Sequence, residues 1–348
     1  MSKINQHIVI VRSSISRFSS MSQISCDSIY AILIKHYTRV TVATVNNLSD
    51  LETLVAQRPD LVFLGMKLIL INPRLGLQYS DKIWISQYLD EHGVAYTGSS
   101  QKAQELELNK PFAKQRVLDA GLKTSPFCVA KQNQLPNKED ISLAYPLFIK
   151  PTDRGGGLGV DGNSVVYNFG QLRSKIYSIT TKVQSDSLIE EYLPGREISV
   201  ALLKDEYSNK FWVMPIERIV PPDSRGVRML SPEIKHADAG LSVAVKDINV
   251  KAKVTALAIN VFKALGARDY GRIDTRMDSA GVPHFLEANL IPSLIEGYGN
   301  FPKACVLNKG LDYESMILRI VRLGLARNSD VMEPVTLDGS VLSTFASA

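Results

Sequence analysis

The pattern richest in chemistry is Arg272-Ile273-Asp274 followed by Glu287-Ala288-Asn289. Residues i and i+2 of a strand point the same way, so Glu287 and Asn289 share one face. Asp278-Ser279-Ala280-Gly281 predicts a turn between the two segments, which sets Asp274 roughly opposite Glu287 on that face. Three hard oxygen ligands with Arg272 beside them suit Mg²⁺ held through the phosphates of a nucleotide. On spacing alone, a solvated hairpin face with one salt bridge explains the same residues.

Two further segments carry chemistry. Phe148-Ile149-Lys150-Pro151 leads into Arg154-Gly155-Gly156-Gly157-Leu158-Gly159, where glycines let backbone N–H groups approach phosphate oxygens and Lys150 adds a point charge. The loop lacks the Gly-Lys-Ser/Thr of a Walker A motif, and taken alone a glycine-rich turn is better explained as a merely flexible hairpin loop. In the run Leu188 to Val200, Glu190, Glu191 and Glu197 flank a strand-turn-strand unit around Leu193-Pro194-Gly195. Carboxylates and exposed backbone beside apolar residues suit an adenine and its ribose, and a structural edge hairpin is the alternative. No Ser/His/Asp or Cys/His set stands out. His7, His36, His92 and His284 read as surface or satisfied side chains, and His236 is kept apart because it falls in a predicted lid.

The elements that must position these residues follow from hydrophobic periodicity. Strands are predicted at His7 to Val11, Val40 to Val45, Leu61 to Leu64 and Val94 to Thr97, with helices at Ser25 to His36 and Leu48 to Arg58. That alternation predicts a small open α/β domain with parallel strands. A helix pair is expected from Ala103 to Ala120, interrupted at Lys110-Pro111 and capped by Gly121. Strands at Ala144 to Lys150 and Ser164 to Tyr167 flank the glycine loop, a helix follows at Phe169 to Ile179, and strands return at Ser187 to Tyr192 and Glu197 to Leu203. Arg218 to Leu241 reads as a long Pro/Gly-containing loop of the kind that forms lids. A helix from Asp247 to Leu265, the hairpin, an irregular run to Pro302 and a last helix near Tyr313 to Leu325 complete the chain, with a poorly ordered tail expected after Arg327.

Composition sets the outer bounds. A chain of 348 residues with 45% hydrophobic and 22% charged residues is an ordinary globular protein of two or three domains, not a disordered one. Forty Lys plus Arg against 35 Asp plus Glu leave +5, too thinly spread for a nucleic-acid binder and compatible with an anionic small ligand. The longest apolar run, Leu61 to Ile71, holds Gly65 and Lys67 and is too short to span a bilayer. With no signal-peptide pattern in MSKINQHIVIVRSS, a cytoplasmic location is expected. Cys26, Cys128 and Cys305 have neither metal-ligand spacing nor an even count, and read as unpaired thiols.

Taken in order, these pieces resemble the ATP-grasp ligases, specifically the D-alanine:D-alanine ligase branch. Tyr96-Thr97-Gly98-Ser99, Asn109-Lys110, Lys150-Pro151 with its glycine loop, LIEEYLPGREISV, the GRID motif at Gly271 to Asp274 and LEANLIP at Leu286 to Pro292 carry the likeness over about residues 60 to 325. The resemblance implies an ATP-grasp fold, α/β and α+β, preceded by a small open α/β domain. The expected units are 1–103 for substrate, 104–190 with the phosphate loop, 191–330 with the metal site and lid, and a tail at 331–348.

By the same resemblance Lys110 and Lys150 would contact ATP phosphates or adenine, with Gly155, Gly156 and Gly157 folding over the phosphates. Glu190, Glu191 and Leu193 would surround adenine, and Glu197 would hold the ribose. Asp274, Glu287 and Asn289 would carry two Mg²⁺ ions, with Mn²⁺ as an alternative, and Arg272 would stabilise an acyl phosphate and a tetrahedral intermediate. The product would be an amide, with ADP and phosphate, from small amino-acid or peptide substrates. A homodimer, and no nucleic-acid or membrane partner, are implied too.

The departures fall on the substrate side. The paired serines of the phosphate loop are Gly156 and Gly157, the glycine after EAN-x-x-Pro is Ser293, and a serine and leucine for the second substrate are Tyr298 and Gly299. The early glutamate is missing from Ser13 to Ser25, and a His-Gly region is replaced by Gly65-Met66-Lys67. The lid's lysine-tyrosine pair is absent, with Arg225 and Arg228 as substitutes. The expectation is an ATP-dependent carboxylate-amine ligase whose substrates differ from two D-alanines. A genuine D-alanine:D-alanine ligase is the alternative, and a catalytically silent nucleotide binder is the third.

Overall fold

Alternating β-branched runs and helical stretches build the first layer. In the computed structural model, which describes residues 2–15, 21–208, 210–222, 225–228 and 241–331, β1 (Ile4–Arg12), β2 (Tyr37–Thr44) and β3 (Leu61–Leu64) form a parallel sheet in the order β2-β1-β3. Helices α1 (Gln23–His36) and α2 (Leu48–Ala56) link them, the second started by an Asn47/Asp50 capping box. The fourth predicted strand, Val94 to Thr97, is reduced to a single parallel bridge between Val62 and Tyr96. The chain is instead spent on a hairpin, β4 (Leu68–Leu70) with β5 (Lys82–Trp84), joined through a short helix α3 (Gly76–Tyr79) and followed by α4 (Ile85–Glu91).

The predicted helix pair is present as α5 (Gln101–Leu108) and α6 (Lys110–Asp119). Asn109 separates them, its side chain accepting the Phe112 N–H, while Pro111 occupies the first turn where its missing donor costs nothing. A four-stranded antiparallel sheet follows, in the order β6-β9-β7-β8, from β6 (Phe127–Ala130), β7 (Leu147–Pro151), β8 (Val165–Val166) and β9 (Ser187–Glu191). Helix α7 (Phe169–Val183) covers one side, capped by Asn168.

The largest sheet is antiparallel, in the order β12-β11-β10-β13-β14, from β10 (Glu197–Lys204), β11 (Phe211–Ile219), β12 (Leu241–Ala244), β13 (Tyr270–Met277) and β14 (Pro283–Asn289). Helix α8 (Ile248–Ala264) packs on one face through Val254, Ala258, Val261 and Phe262 against Val200, Leu202 and Ile273. Helices α9 (Asn300–Lys309) and α10 (Tyr313–Val331) join the other face to the parallel sheet: Met316, Ile317 and Ile320 share a core with Ile8, Ile10, Ala201 and Met214.

Two expectations need correction. The irregular run to Pro302 ends inside α9, because Pro302 sits in the first turn, where a helix tolerates it. The predicted loop from Arg218 is strand through Ile219, and strand resumes at Leu241. Asp223, His236 and most of the predicted lid between them lie outside the described residues, as does the tail from 332. No described helix is long and apolar enough to cross a membrane.

Candidate active site

The antiparallel registers fix the face that carries the chemistry. Asp274 stands opposite Glu287 and Arg272 opposite Asn289 on β13 and β14, while Ser199 of β10 pairs with Asp274 from the other side. One step outward, Glu197 lies between Arg218 and Arg276. These side chains line a single cleft of about 960 Å³ between the five-stranded sheet and the four-stranded sheet. The opposite wall supplies Lys150 from the end of β7, Gly155, Gly156 and Gly157, and Glu190, Glu191 and Leu193, and Lys110 contributes from the first turn of α6. Ser293 and Tyr298 line it too. Arg225 and Arg228 are not brought to it. Arg225 reaches the Gly162 carbonyl and lies 5.4 Å over the Tyr167 ring, and Arg228 bonds the Val220 carbonyl.

The glycine loop is shaped by its backbone. Gly156 and Gly157 hold φ of +67° and +85°, in the left-handed region that a serine enters only with strain. The loop therefore offers backbone N–H groups and no hydroxyls. Beside Tyr298, a Cβ on Gly299 would lie 2.5 Å from the Ser293 carbonyl oxygen, so only glycine fits there.

Sequence reasoning missed a buried lysine behind Glu190, a residue that lines the cleft. Lys114 of α6 is 0% exposed, and its Nζ lies 2.5 Å from Glu190 Oε1 and donates to Thr124 Oγ1 and the Phe285 carbonyl. Lys150 meets the other Glu190 oxygen at 2.8 Å. Burial pushes the Glu190 carboxyl up, but the two ammonium groups outweigh it and hold it below its ordinary value. Burial pulls Lys114 down to about 8 despite Glu190. The helical spacing from Lys110 to Lys114 was the available signal, since i and i+4 share a helix face. Lys67 and Glu107, a second missed pair at 2.6 Å, line the cleft where the His-Gly region was expected.

Asp274 is the most heavily engaged carboxylate. Arg272 donates to both its oxygens at 2.8 Å, Ser199 to Oδ1 at 2.7 Å and Asn289 Nδ2 to Oδ2 at 3.0 Å. Burial raises its pKa, but Arg272, Ser199 and the field of Arg218 bring it below the usual carboxylate range. Glu287 is less occupied, with Lys110 Nζ at 4.0 Å. Two carboxylates and an amide on adjacent strands are hard oxygen donors that fit Mg²⁺, with Glu287 the more available ligand. Among the described residues no group of three His, Cys, Asp or Glu could hold a metal; the third donor here is Asn289.

Residues 117–322 match the family described as D-ala D-ala ligase C-terminus, and the chain belongs to that family. The chain is 30% identical over 210 residues to an uncharacterised protein of Sinorhizobium fredii, covering 59% of this chain and 60% of that protein. It is 27% identical over 263 residues to the D-alanine:D-alanine ligase of Lacticaseibacillus casei, 71% of this chain and 66% of the relative. The match thus spans less than two thirds of both proteins. A D-alanine:D-alanine ligase B of Xanthomonas campestris is 29% identical, over 78% of this chain and 80% of its own. The D-alanine:D-alanine ligase of Bacillus anthracis solved with ATP superposes with a TM-score of 0.71 at 20% identity, covering 94% of this chain and 99% of that one. The fold is ATP-grasp, as the order of the motifs implied.

Proposed function

We propose that the protein is an ATP-dependent carboxylate-amine ligase of the D-alanine:D-alanine ligase type, acting on a pair other than two D-alanines. The carrying observation is the register pair Asp274 and Glu287, with Arg272 beside it, facing the glycine loop, Lys110 and Lys150 across one cleft. A donor carboxylate attacks the γ-phosphorus of ATP, ADP leaves, and an amine then attacks the acyl carbon and expels phosphate. The crowded negative charge of the first step requires cations in a site that excludes water. Arg272 supplies one at the reacting end, while Lys110 and Lys150 supply theirs from the loop side. Asp274, Glu287 and Asn289 would hold Mg²⁺, two ions by the family resemblance, which neutralises phosphate charge. Glu190, Leu193 and Glu197 would bound adenine and ribose.

The substrate side supports a changed pair. Gly156 and Gly157 present no hydroxyl, Lys67 and Glu107 occupy the wall where His-Gly was expected, and Tyr298, 46% exposed, stands in the acceptor region. The relatives' names favour a second reading, a genuine D-alanine:D-alanine ligase. Phosphate release from ATP, with D-alanine alone set against a panel of amino acids, dipeptides and small acids and products identified by mass spectrometry, separates the two. D-alanine as best substrate on both sides selects the second reading, and no release with any pair would favour a silent nucleotide binder.

A further inference from the structure

The period of two along β13 puts a second arginine on the face that carries the chemistry: Arg272, Asp274 and Arg276 all line the cleft. Arg276 stands opposite Glu197 in register and is 7% exposed. Its guanidinium is shared among three partners. Nη1 donates to Glu197 Oε2 at 3.2 Å, and Nη2 donates to the Tyr192 hydroxyl at 2.8 Å and to the Arg228 carbonyl at 2.7 Å. The same group lies 4.8 Å over the Tyr192 ring.

Tyr192 completes the junction. Its hydroxyl accepts from the Arg228 N–H at 3.2 Å and donates to the Arg228 carbonyl at 3.3 Å. With the bond from Arg276, that hydroxyl accepts twice and donates once, which satisfies it. Residue 228 is thus held at both polar atoms of its main chain, and its side chain turns back to the Val220 carbonyl at 2.9 Å. Three residues earlier, Arg225 donates to the Gly162 carbonyl at 3.3 Å, in the connection between β7 and β8 that also contains the glycine loop. Segment 225–228 therefore reaches from the five-stranded sheet to the glycine-loop connection, and Arg276 is the group that joins it to Glu197.

We infer that Arg276 is a positioning residue that couples the nucleotide to segment 225–228: it fixes the Glu197 carboxylate for the ribose hydroxyls and, with the same guanidinium, holds the Arg228 main chain. This rests on the reading of Glu197 as the ribose ligand. Arg276 takes one acceptor site on one carboxylate oxygen, so Glu197, whose side chain keeps 23% exposure, still has sites for two hydroxyls. A ribose that orders Glu197 orders the guanidinium too. By linkage, the factor by which the docked segment raises nucleotide affinity is the factor by which nucleotide strengthens the docking. Arg276 acts through Glu197 and Arg228 rather than on the reacting atoms.

Two measurements on the full chain with Mg²⁺ test the coupling: the Kd for ADP against 2′-deoxy- and 3′-deoxy-ADP by calorimetry, and hydrogen–deuterium exchange across residues 225–228 with and without ADP. Wild type should prefer ADP over the deoxy analogues about 10-fold, the scale of a hydrogen bond to a charged group, and ADP should slow exchange at Arg228. Arg276→Met should lose both the ribose preference and the ADP-dependent slowing, and Arg276→Lys should recover part of the preference. Tyr192→Phe separates the two arms. It removes the hydroxyl that holds Arg228 but leaves Nη1 on Glu197, so the ribose preference should stay while exchange at Arg228 speeds up. Should Arg276→Met melt early, Arg276→Lys and Tyr192→Phe decide the matter on the same two readouts. The absence of any ribose preference in wild type would take Glu197 off the ribose and overturn the underlying reading together with the coupling. A wild-type preference that Arg276→Met and Arg276→Lys both keep in full, or an ADP-dependent slowing that survives in Arg276→Met or Tyr192→Phe, would leave that reading standing and overturn the inference alone.

Discussion

The two ends of the cleft are built on different principles. On the walls proposed for the nucleotide the charges are already matched inside the protein: Glu190 between Lys114 and Lys150, Glu197 against Arg276, Asp274 against Arg272. Around the residues proposed for the substrate, Arg218 is held by the neutral amide of Asn300 and the Tyr298 ring is exposed. A pre-paired wall holds its shape before the ligand arrives, so its residues tolerate little change. A wall with charge left over can be retuned one side chain at a time.

The contrast breaks most decisively at the metal strand. Glu287→Ala removes the more available of the proposed metal ligands, and turnover should fall on the order of 10²-fold or more with the melting curve preserved, since the charge matters when nucleotide is bound. Near-normal activity in a folded variant would remove Glu287 from the site. Lys114→Met should raise the KM for ATP about tenfold with a smaller effect on kcat, because Glu190 loses one of two buried partners. An unaltered KM would confine Lys114 to packing. At the other end, Tyr298→Ala should reorder acceptors by about tenfold and leave the KM for ATP alone. If ATP affinity moves instead, the two ends are not separable.

The smallest effect concerns acid. Asp274 and Glu190 both titrate below their ordinary values in the folded chain, so between those values and about pH 4 the unfolded chain binds more protons. The stability they contribute is complete above about pH 4 and is lost as the pH falls through the folded values. Denaturant midpoints should hold from pH 6 to about pH 4 and decline below it. A flat profile would mean that neither carboxylate is held as described.

The strand pair and the helix boundary that carry the proposed nucleotide residues were readable because their signals are local. The strand period placed Glu287 and Asn289 on one face and Asp274 across the turn, and the observed register agrees. Asn109-Lys110-Pro111 marked a helix boundary by capping chemistry alone. What escaped depends on contacts distant in sequence. Lys114 is an ordinary helix lysine until α6 lies against β14 and β9, and Arg218 looked like the start of a loop because Pro221-Pro222 follows it so closely. Arg225 and Arg228 were chosen by charge type within the expected lid, whereas the strand just before it delivers the arginine that lines the cleft. The hairpin of β4 and β5 was missed because its strands have three residues each, too few to show a period.

Lys114 also has a consequence for motion. Its ammonium joins Glu190 on β9 to the Phe285 carbonyl on β14, two residues before Glu287, and the Phe285 amide is itself bonded to the Lys123 carbonyl at 2.9 Å. The strand that carries Glu287 and Asn289 is thereby pinned to the strand that carries Glu190 through a buried lysine. Local opening at that point must disrupt both sheets together, so the Phe285 amide should exchange with solvent deuterium as slowly as the amides of β9. In Lys114→Met the two sets of protons should part company, β14 exchanging first while β9 stays protected.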